Sequence, residues 1–263
     1  MSRHYLNAAR LDRLADDLSD RELAILRSLD RIRLASGAQL ERLHFSGSSA
    51  RQRRRILESL TDRRLLCRLD RFVGGRRAGS SGYLYALDVA GQRLLARRTG
   101  MPVRRPTTPG APFIAHVLDV TELYVGLVEA ERRGVIELLD FQAEPAAWRR
   151  YPGPGGGTAI VKPDAYVRIG SGGYEDSYFI EVDRGSEAPS TLARKADTYR
   201  AYYASGLEQH RHNLFPRVLW TVPNERRHQT LVDVCSRQPA DSWQLHQVTL
   251  FAGAVGLMAG GAA

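Results

Sequence analysis

Lysine is almost absent from this chain. Of its 38 basic residues, 36 are arginine, and the two lysines are Lys162 and Lys195. We interpret the preference for arginine as an effect of genomic base composition. The positions of the two lysines therefore carry more information than those of the arginines.

Cysteine is equally scarce. Cys67 and Cys235 lie far apart and match no zinc-binding or disulfide spacing, which indicates a reducing cytoplasm. The first ten residues lack the apolar core of a signal peptide. The apolar tail "TLFAGAVGLMAGGAA" is too short to cross a bilayer. We therefore expect a cytoplasmic protein without a membrane partner, whose tail either packs against the body or is disordered.

Acidic residues are few in the first hundred positions. Residues 1–100 hold 21 Arg and 11 Asp/Glu, a net charge of +10, whereas residues 101–263 hold 17 Lys/Arg and 18 Asp/Glu, a net charge of −1. A basic half beside a near-neutral half favours a polyanion-binding module joined to a second domain. The alternative is an arginine-rich proteome, in which many proteins are basic.

The basic half has the element order of a winged helix-turn-helix. "LSDRELAILRSLDRIRL" predicts a helix with Ser19 as N-cap and Glu22 completing a capping box. "SGAQLERLHF" and "SSARQRRRILESLTDRRLL" predict two more helices, the last starting near Ser48 or Ser49. Two short strands, "LCRLDRFV" and "YLYALD", then enclose a glycine-rich turn, and "VAGQRLLARRTG" closes the module.

The third helix carries arginines on its predicted outer face. Arg51, Arg54 and Arg55 project away from the apolar side at 100° per residue, as in a recognition helix that enters the major groove. Arg76 and Arg77 in the wing could reach the DNA backbone or the minor groove. The alternatives are a solvated helix face, or a winged helix used for dimerisation or protein contact.

A proline-rich segment divides the chain. We predict a winged-helix DNA-binding domain over 1–98, a linker over 99–112, a second domain over 113–250 and an apolar tail over 251–263. Patterns after the linker give the order α-β-β-β-α-β, with strands "VIELLDFQ", "TAIVKPDAYVRI", "DSYFIEVDRG" and "RVLWTVP". The fold class predicted is therefore mixed α/β.

The second and third of these strands predict a hairpin that gathers charge. With its turn centred on Gly172–Gly173, Asp164 lies opposite Glu181, and Lys162 lies opposite Asp183. Clustered carboxylates repel each other unless a proton or a cation lies between them. Hard oxygen ligands suit Mg²⁺ or Mn²⁺, and a nearby lysine could orient a water or stabilise a pentavalent phosphate.

The hairpin resembles the PD-(D/E)XK nuclease superfamily. Pro163-Asp164 matches the "PD", Glu181 matches the acidic residue of the second motif, and the α-β-β-β-α-β order matches the core of that fold. The motif lysine is replaced by Asp183. Two lysines could substitute for it, Lys162 across the hairpin or Lys195 on the following helix, and we favour Lys195.

The chain over about residues 18–235 also resembles the replication-relaxation family of bacterial plasmids and integrative elements. The segments that carry the resemblance are "AQLERLHF", "HVLDVTELY", "PDAYV", "FIEVDRGSE" and "LARKADTYRAYY". That family is related to the MobC class of plasmid relaxases. The resemblance implies processing of plasmid or mobile-element DNA, with double-stranded DNA as partner. A second copy of the chain, or relaxosome or replication proteins, are further candidate partners.

The same resemblance implies roles for individual residues. Asp164, Glu181 and Asp183 become ligands of Mg²⁺ or Mn²⁺, and Lys195 becomes the auxiliary cation. Glu122 on the first helix of the second domain is a weaker candidate ligand.

Two alternatives stay open. The chain could be a nuclease, or it could be a catalytically silent DNA-binding accessory that keeps the fold. Under the second interpretation, Glu181 and Lys195 form a structural ion pair. Tyr199, Tyr202 and Tyr203 are assigned to packing, and "EQHRH" is interpreted as a surface loop rather than a zinc site.

Overall fold

The computed structural model describes residues 8–69, 82–99, 110–153, 156–239 and 242–260. The chain forms two compact units, Met1–Val125 and Gly126–Ala263. The mixed α/β class predicted from the sequence is confirmed. The domain bounds predicted around a linker at 99–112 stay a prediction, because residues 100–109 lie outside the described part of the chain.

The first unit contains helices and a small sheet. Its helices are α1 (Ala8–Asp16), α2 (Asp20–Ile32), α3 (Gly37–His44), α4 (Ala50–Asp62), α5 (Val89–Thr99) and the start of α6 (Ala111–Arg132). Its strands are β1 (Ala35–Ser36), β2 (Leu66–Leu69) and β3 (Leu84–Leu87), in the order β1-β3-β2 with antiparallel pairing. Helices α2 to α5 and strands β2 and β3 were predicted, whereas α1 and β1 were not.

Serine caps begin three of these helices. The predicted capping box is confirmed: the Ser19 hydroxyl accepts from the Glu22 backbone N–H, and the Glu22 carboxylate accepts from the Ser19 N–H. Ser36 and Gln39 form a second box at α3, and Ser49 caps α4. These caps satisfy backbone N–H groups that a helix leaves without partners at its start.

Helix α5 lies very close to the backbone at Leu65, directly before β2. A Cβ atom added at Gly91 would lie 2.2 Å from the Leu65 carbonyl oxygen. Only glycine fits at this position without moving the backbone, which explains a residue that otherwise weakens a helix. The turn at 70–81, between β2 and β3, lies outside the described residues.

The second unit is built on a five-stranded sheet. Its strands are β4 (Glu137–Ala143), β7 (Ala165–Ser171), β8 (Tyr174–Val182), β9 (Arg217–Val222) and β10 (His246–Leu250), in the order β10-β9-β8-β7-β4. Strands β8, β9 and β10 are parallel, and β7 is antiparallel to β4 and β8. Two shorter strands, β5 (Arg149–Pro152) and β6 (Thr158–Val161), pair separately.

Helices cover this sheet. They are α7 (Pro189–Ala204), α8 (Leu207–His212), α9 (Glu225–Ser236) and α10 (Ala254–Met258), with the end of α6. Side chains of α7 and α9 share one core cluster with the sheet residues Phe179 and Trp220. Ala254 and Met258 are buried, so the described part of the apolar tail packs against the body. This is the first of the two arrangements expected for the tail.

Three local predictions need correction. The segment "TAIVKPDAYVRI" is not one strand, because it ends at Val161 in β6 and resumes at Ala165 in β7. Helix α7 begins after Ala188, with Pro189 in its first turn, and not after a serine or threonine cap. Proline suits this position because it has no backbone N–H, and an N–H there would have no acceptor within the helix. The "EQHRH" segment is helical and forms most of α8.

One helix, α6, is long and apolar enough to cross a membrane by length and composition, and 44% of its apolar window is buried inside the protein. Buried core helices of soluble proteins pass the same test. The finding is weak evidence for a membrane segment.

Candidate functional site

The β7–β8 hairpin has the register that the sequence predicts. Ala165 pairs with Ile180 and Tyr166 with Phe179, and the turn has positive φ at both Gly172 and Gly173. Two glycines with positive φ suit the tight turn that matches strand twist. The pairing continues past the strand end, where the Asp164 N–H donates to the Ile180 carbonyl at 2.9 Å. Asp164 and Glu181 therefore lie at neighbouring positions, as expected.

Glu181 is the most deeply buried charged group of the site. It is 3% exposed, in the interior of the sheet opposite Trp220 of β9. The Tyr199 hydroxyl donates to its Oε1 at 2.6 Å, and the Lys195 ammonium donates to its Oε2 at 3.0 Å. Both carboxylate oxygens thus have partners, which is what a carboxylate in an apolar interior requires.

Burial raises the pKa of Glu181 from 4.5 to about 7. Desolvation is the largest cause, and the charge of Asp164 adds to it, while Lys195 and the Tyr199 hydrogen bond act in the opposite direction. The two carboxylates therefore interact electrostatically. A site that holds both in their charged form at neutral pH needs additional positive charge.

Lys195 and Tyr199 are one helical turn apart on α7 and therefore reach Glu181 from the same helix face. Lys195 also contacts Glu187 Oε1 at 3.0 Å. Burial opposes its charge, but Glu181, Asp164 and Glu187 outweigh this effect and raise the pKa of Lys195. Burial and Glu181 raise the pKa of Tyr199, so its hydroxyl keeps its proton and acts as the donor.

Asp164 directly precedes the first residue of β7 and is 9% exposed. The Val182 N–H donates to its Oδ2 at 2.7 Å, which ties this carboxylate to the strand that carries Glu181. The charge of Asp164 is one of the causes that raise the pKa of Glu181.

Asp183 is bound elsewhere. Arg227 of α9 forms a two-pronged contact with its carboxylate, with the Nη2 atom 2.9 Å from Oδ1, and the Gly185 N–H donates to it at 3.0 Å. The expected position of Asp183 opposite Lys162 is wrong, because the strand ends at Val182 and the chain turns towards α9.

Lys162 also leaves the predicted site. It lies between β6 and β7, is exposed, and its Nζ is 4.8 Å from the centre of the Trp148 ring. The break in the predicted long strand is the cause, since the pairing with β8 begins only at Asp164. The two lysines therefore do not share one site, and Lys195 is the one that contacts Glu181.

Glu122 belongs to the first unit. Its carboxylate pairs with Arg42, and the Gln39 amide donates to its Oε2 at 3.0 Å. These partners tie α6 to α3 within that unit. They give Glu122 a structural explanation that does not require a metal ion.

Three arginines of α4 that the sequence predicts on its outer face are exposed, and their contact with DNA stays a prediction. Arg51, Arg54 and Arg55 are exposed, whereas Arg53 pairs with Glu41 of α3. The side chain of Arg53 is half-buried. Arg76 and Arg77 lie outside the described residues.

A family model described as replication-relaxation matches residues 26–218. This match spans most of both units. The chain belongs to the replication-relaxation family. No curated protein and no solved structure matches the chain.

Membership of the replication-relaxation family indicates a role in the replication or relaxation of plasmids or mobile elements. Within the residues that the structure describes, no group of three or more His, Cys, Asp or Glu side chains could hold a metal ion. At the hairpin, this family member brings together two carboxylates, Asp164 and Glu181, one ammonium group and one phenol.

Two partners of the carboxylates were missed from the sequence of this replication-relaxation protein. Tyr199 was assigned to packing, although its spacing of four residues from Lys195 could have revealed that both share one helix face. Arg227 carries no local signal for pairing with Asp183, because 44 residues separate the two. That contact depends on how α9 returns to the sheet.

The raised pKa of Glu181 makes a prediction for stability. Its folded-state pKa of about 7 lies above the ordinary 4.5, so folding takes up a proton between these values. Through this group, the free energy of unfolding falls as pH rises from about 4.5 to 7. Glu181→Gln removes the titration. We expect the variant to gain stability relative to wild type across that window and to keep a constant difference from pH 7 to 9, measured by denaturant unfolding.

Burial also lowers the pKa of His246 to about 4, and this group makes the free energy of unfolding rise with pH. The variant must therefore be compared with wild type at each pH. Glu175→Gln, at an exposed position of the same strand, is the matched control and should leave the pH dependence unchanged. A stability difference for Glu181→Gln that does not vary with pH would contradict the proposed titration.

Proposed function

We propose that the chain binds double-stranded DNA of plasmids or mobile elements and nicks or cleaves it by metal-dependent phosphodiester hydrolysis. The observation that carries this proposal is the 3.0 Å contact between Lys195 Nζ and Glu181 Oε2, beside Asp164. Two acidic residues and a lysine meet here, although Asp183 occupies the motif position for the lysine. This set of groups is the one that a PD-(D/E)XK nuclease uses.

The donor set fits Mg²⁺ or Mn²⁺. Mg²⁺ is usually held by one or two carboxylates and by substrate phosphates, and it keeps several waters. Asp164 and Glu181 would hold it. Burial first, and the charge of Asp164 second, raise the pKa of Glu181, and a cation would relieve the repulsion between the two carboxylates. When bound, the cation supplies Lewis-acid polarisation of the phosphate and acidifies a coordinated water.

The protein groups have separate tasks in this proposal. The ammonium of Lys195 stays charged between Glu181 and Glu187 and stabilises negative charge that develops on the phosphate. The Tyr199 hydrogen bond fixes the orientation of the Glu181 carboxylate. Asp183 and Arg227 hold the end of β8 to α9 and take no part in the chemistry.

The first unit supplies DNA binding. Its order of three helices, two strands and a closing helix fits a winged helix-turn-helix, and α4 presents three exposed arginines. Arginine side chains on such a helix contact phosphates and guanine edges. The order of the second unit, with α7 between the hairpin and β9, fits the α-β-β-β-α-β core and the relation to MobC-class relaxases.

Nicking of supercoiled plasmid in the presence of Mn²⁺ tests the catalytic proposal. We expect Asp164→Asn and Lys195→Met to lower the nicking rate by about 100-fold or more, because the first removes a carboxylate that would hold the cation and the second removes the ammonium that acts at the phosphate. The measurement is the amount of open-circular DNA formed with time.

Arg194→Met is the matched control for Lys195→Met. Arg194 is the preceding residue of α7, is exposed, and donates to Thr191. It removes a cation from the same helix and should keep the wild-type nicking rate. Equal nicking by wild type and Asp164→Asn would overturn the catalytic proposal.

Binding to duplex DNA tests the role of α4. Replacing Arg51, Arg54 and Arg55 together with Ala should weaken binding and lower the slope of log affinity against log salt by up to about 2.7, since each phosphate contact contributes about 0.9. Arg53→Ala is the control on the same helix, because Arg53 pairs with Glu41. If the triple variant binds duplex DNA like wild type at every salt concentration, the DNA interface is elsewhere.

A second candidate function is a catalytically silent DNA-binding accessory protein. Both oxygens of Glu181 already have protein partners, and Asp183 is bound by Arg227. Under this alternative, Glu181 and Lys195 form a structural pair. Duplex binding by wild type without Mn²⁺-dependent nicking would favour it.

A further inference from the structure

Strands β5 and β6 form a two-stranded arm, which we call the β5–β6 arm. They pair with Arg149 opposite Val161 and Tyr151 opposite Ala159. Because side chains alternate along a strand, one face of the arm carries Tyr151 and Val161, which are buried in the core cluster that also contains α7. The other face points away from that core.

The outer face of the β5–β6 arm is aromatic and basic. Trp148 directly before β5, Arg150 on β5 and Lys162 directly after β6 are all exposed. Extending the observed register places Trp148 opposite Lys162, which agrees with the 4.8 Å between the lysine Nζ and the tryptophan ring centre. Trp148 retains 36% exposure despite this contact.

None of these three side chains belongs to the core cluster of the second unit, and the proposed hydrolysis does not use them. The arm packs against the core through its inner face, which carries Tyr151 and Val161. The lysine that contacts Glu181 is Lys195, not Lys162. An exposed indole beside two cations has the chemistry of a surface for nucleic-acid strands, where aromatic rings stack on bases and cations contact phosphates.

The chemistry favours an unpaired strand over a duplex. A base can stack on a protein ring only when its own face is uncovered, and the bases inside a duplex are already stacked on each other. Base stacking on an aromatic ring is stronger than an exposed cation–π contact, so an arriving base can displace Lys162 from the ring. The displaced ammonium then becomes available for a phosphate.

We propose that the outer face of the β5–β6 arm binds an unpaired DNA segment, with a base stacked on Trp148 and with Arg150 and Lys162 on phosphates. The inference rests on the proposed function in one respect, namely that DNA is the ligand. Lys162 precedes Asp164 by two residues. This face of the arm is therefore adjacent, along the protein chain, to the candidate site. Strand separation next to a nick would supply the unpaired nucleotides that this face binds.

Fluorescence anisotropy with a labelled twelve-nucleotide oligothymidine tests the proposal, with a labelled duplex measured in parallel. We expect Trp148→Leu to weaken oligothymidine binding about tenfold, because stacking of one base is lost. Trp148→Phe retains a ring and should stay within about threefold of wild type. Duplex affinity should change less than twofold in both variants. Trp243→Leu, at a tryptophan that is 50% exposed on another element, should bind like wild type.

Arg150→Gln and Lys162→Gln probe the phosphate contacts. Each should lower the salt slope for oligothymidine by about 0.7, the value for one contact with a single strand. Intrinsic fluorescence gives an independent readout in Trp243→Phe. This variant keeps Trp148 and the buried Trp220, so oligothymidine should quench its emission. The same DNA should leave the emission of Trp148→Phe unchanged.

The outcomes separate the two proposals. If wild type binds the duplex but not oligothymidine, or if Trp148→Leu binds oligothymidine like wild type, the inference about the arm is wrong and the proposed function is untouched. An equal loss of duplex and oligothymidine binding in Trp148→Leu also overturns the inference. If wild type binds neither DNA, the proposed function fails.

Discussion

The carboxylate of Glu181, buried inside the sheet, is the constraint on which the second unit depends. A charge in an apolar interior is strongly unfavourable unless it is paired and hydrogen-bonded. Lys195 and Tyr199 meet this need from one face of α7, which fixes the rotation and the position of that helix over β8. The rings of Tyr199 and Phe179, with centres 5.9 Å apart, then continue the contact as packing. The same helix thus packs against the core and places the Lys195 ammonium at the candidate site.

Two ion pairs divide the acidic segment that follows β8. Glu181 turns towards α7, whereas Asp183, after the strand ends, pairs with Arg227 of α9. Removing one partner of a buried ion pair typically costs about 3–5 kcal/mol because the other charge is left uncompensated, so Asp183 and Arg227 each depend on the other. Neighbouring acidic residues in one short sequence therefore have different roles. Burial and the charge of Asp164 raise the pKa of Glu181, whereas Asp183 pairs with Arg227.

Local patterns predicted most of the fold, because caps, helical periodicity and paired glycines act over a few residues. The Ser19 box and the hairpin register around Gly172–Gly173 are examples. The site was predicted in part: Asp164, Glu181 and Lys195 come together, but Lys162 does not join them. Its departure follows from the break between β6 and β7, which depends on pairing between β5 and β6. Contacts of this kind are set by tertiary packing, and a single sequence carries no local signal for them.

The central claim is that Asp164 and Glu181 hold a divalent cation beside Lys195. Anomalous scattering from a crystal soaked in Mn²⁺ tests it most directly. We expect a manganese peak within coordination distance of oxygens from both carboxylates, about 2.0–2.6 Å for hard cations of this kind. A fully soaked crystal without a peak there, with both oxygens of Glu181 still bound by Lys195 and Tyr199, would contradict the claim and leave a structural ion pair.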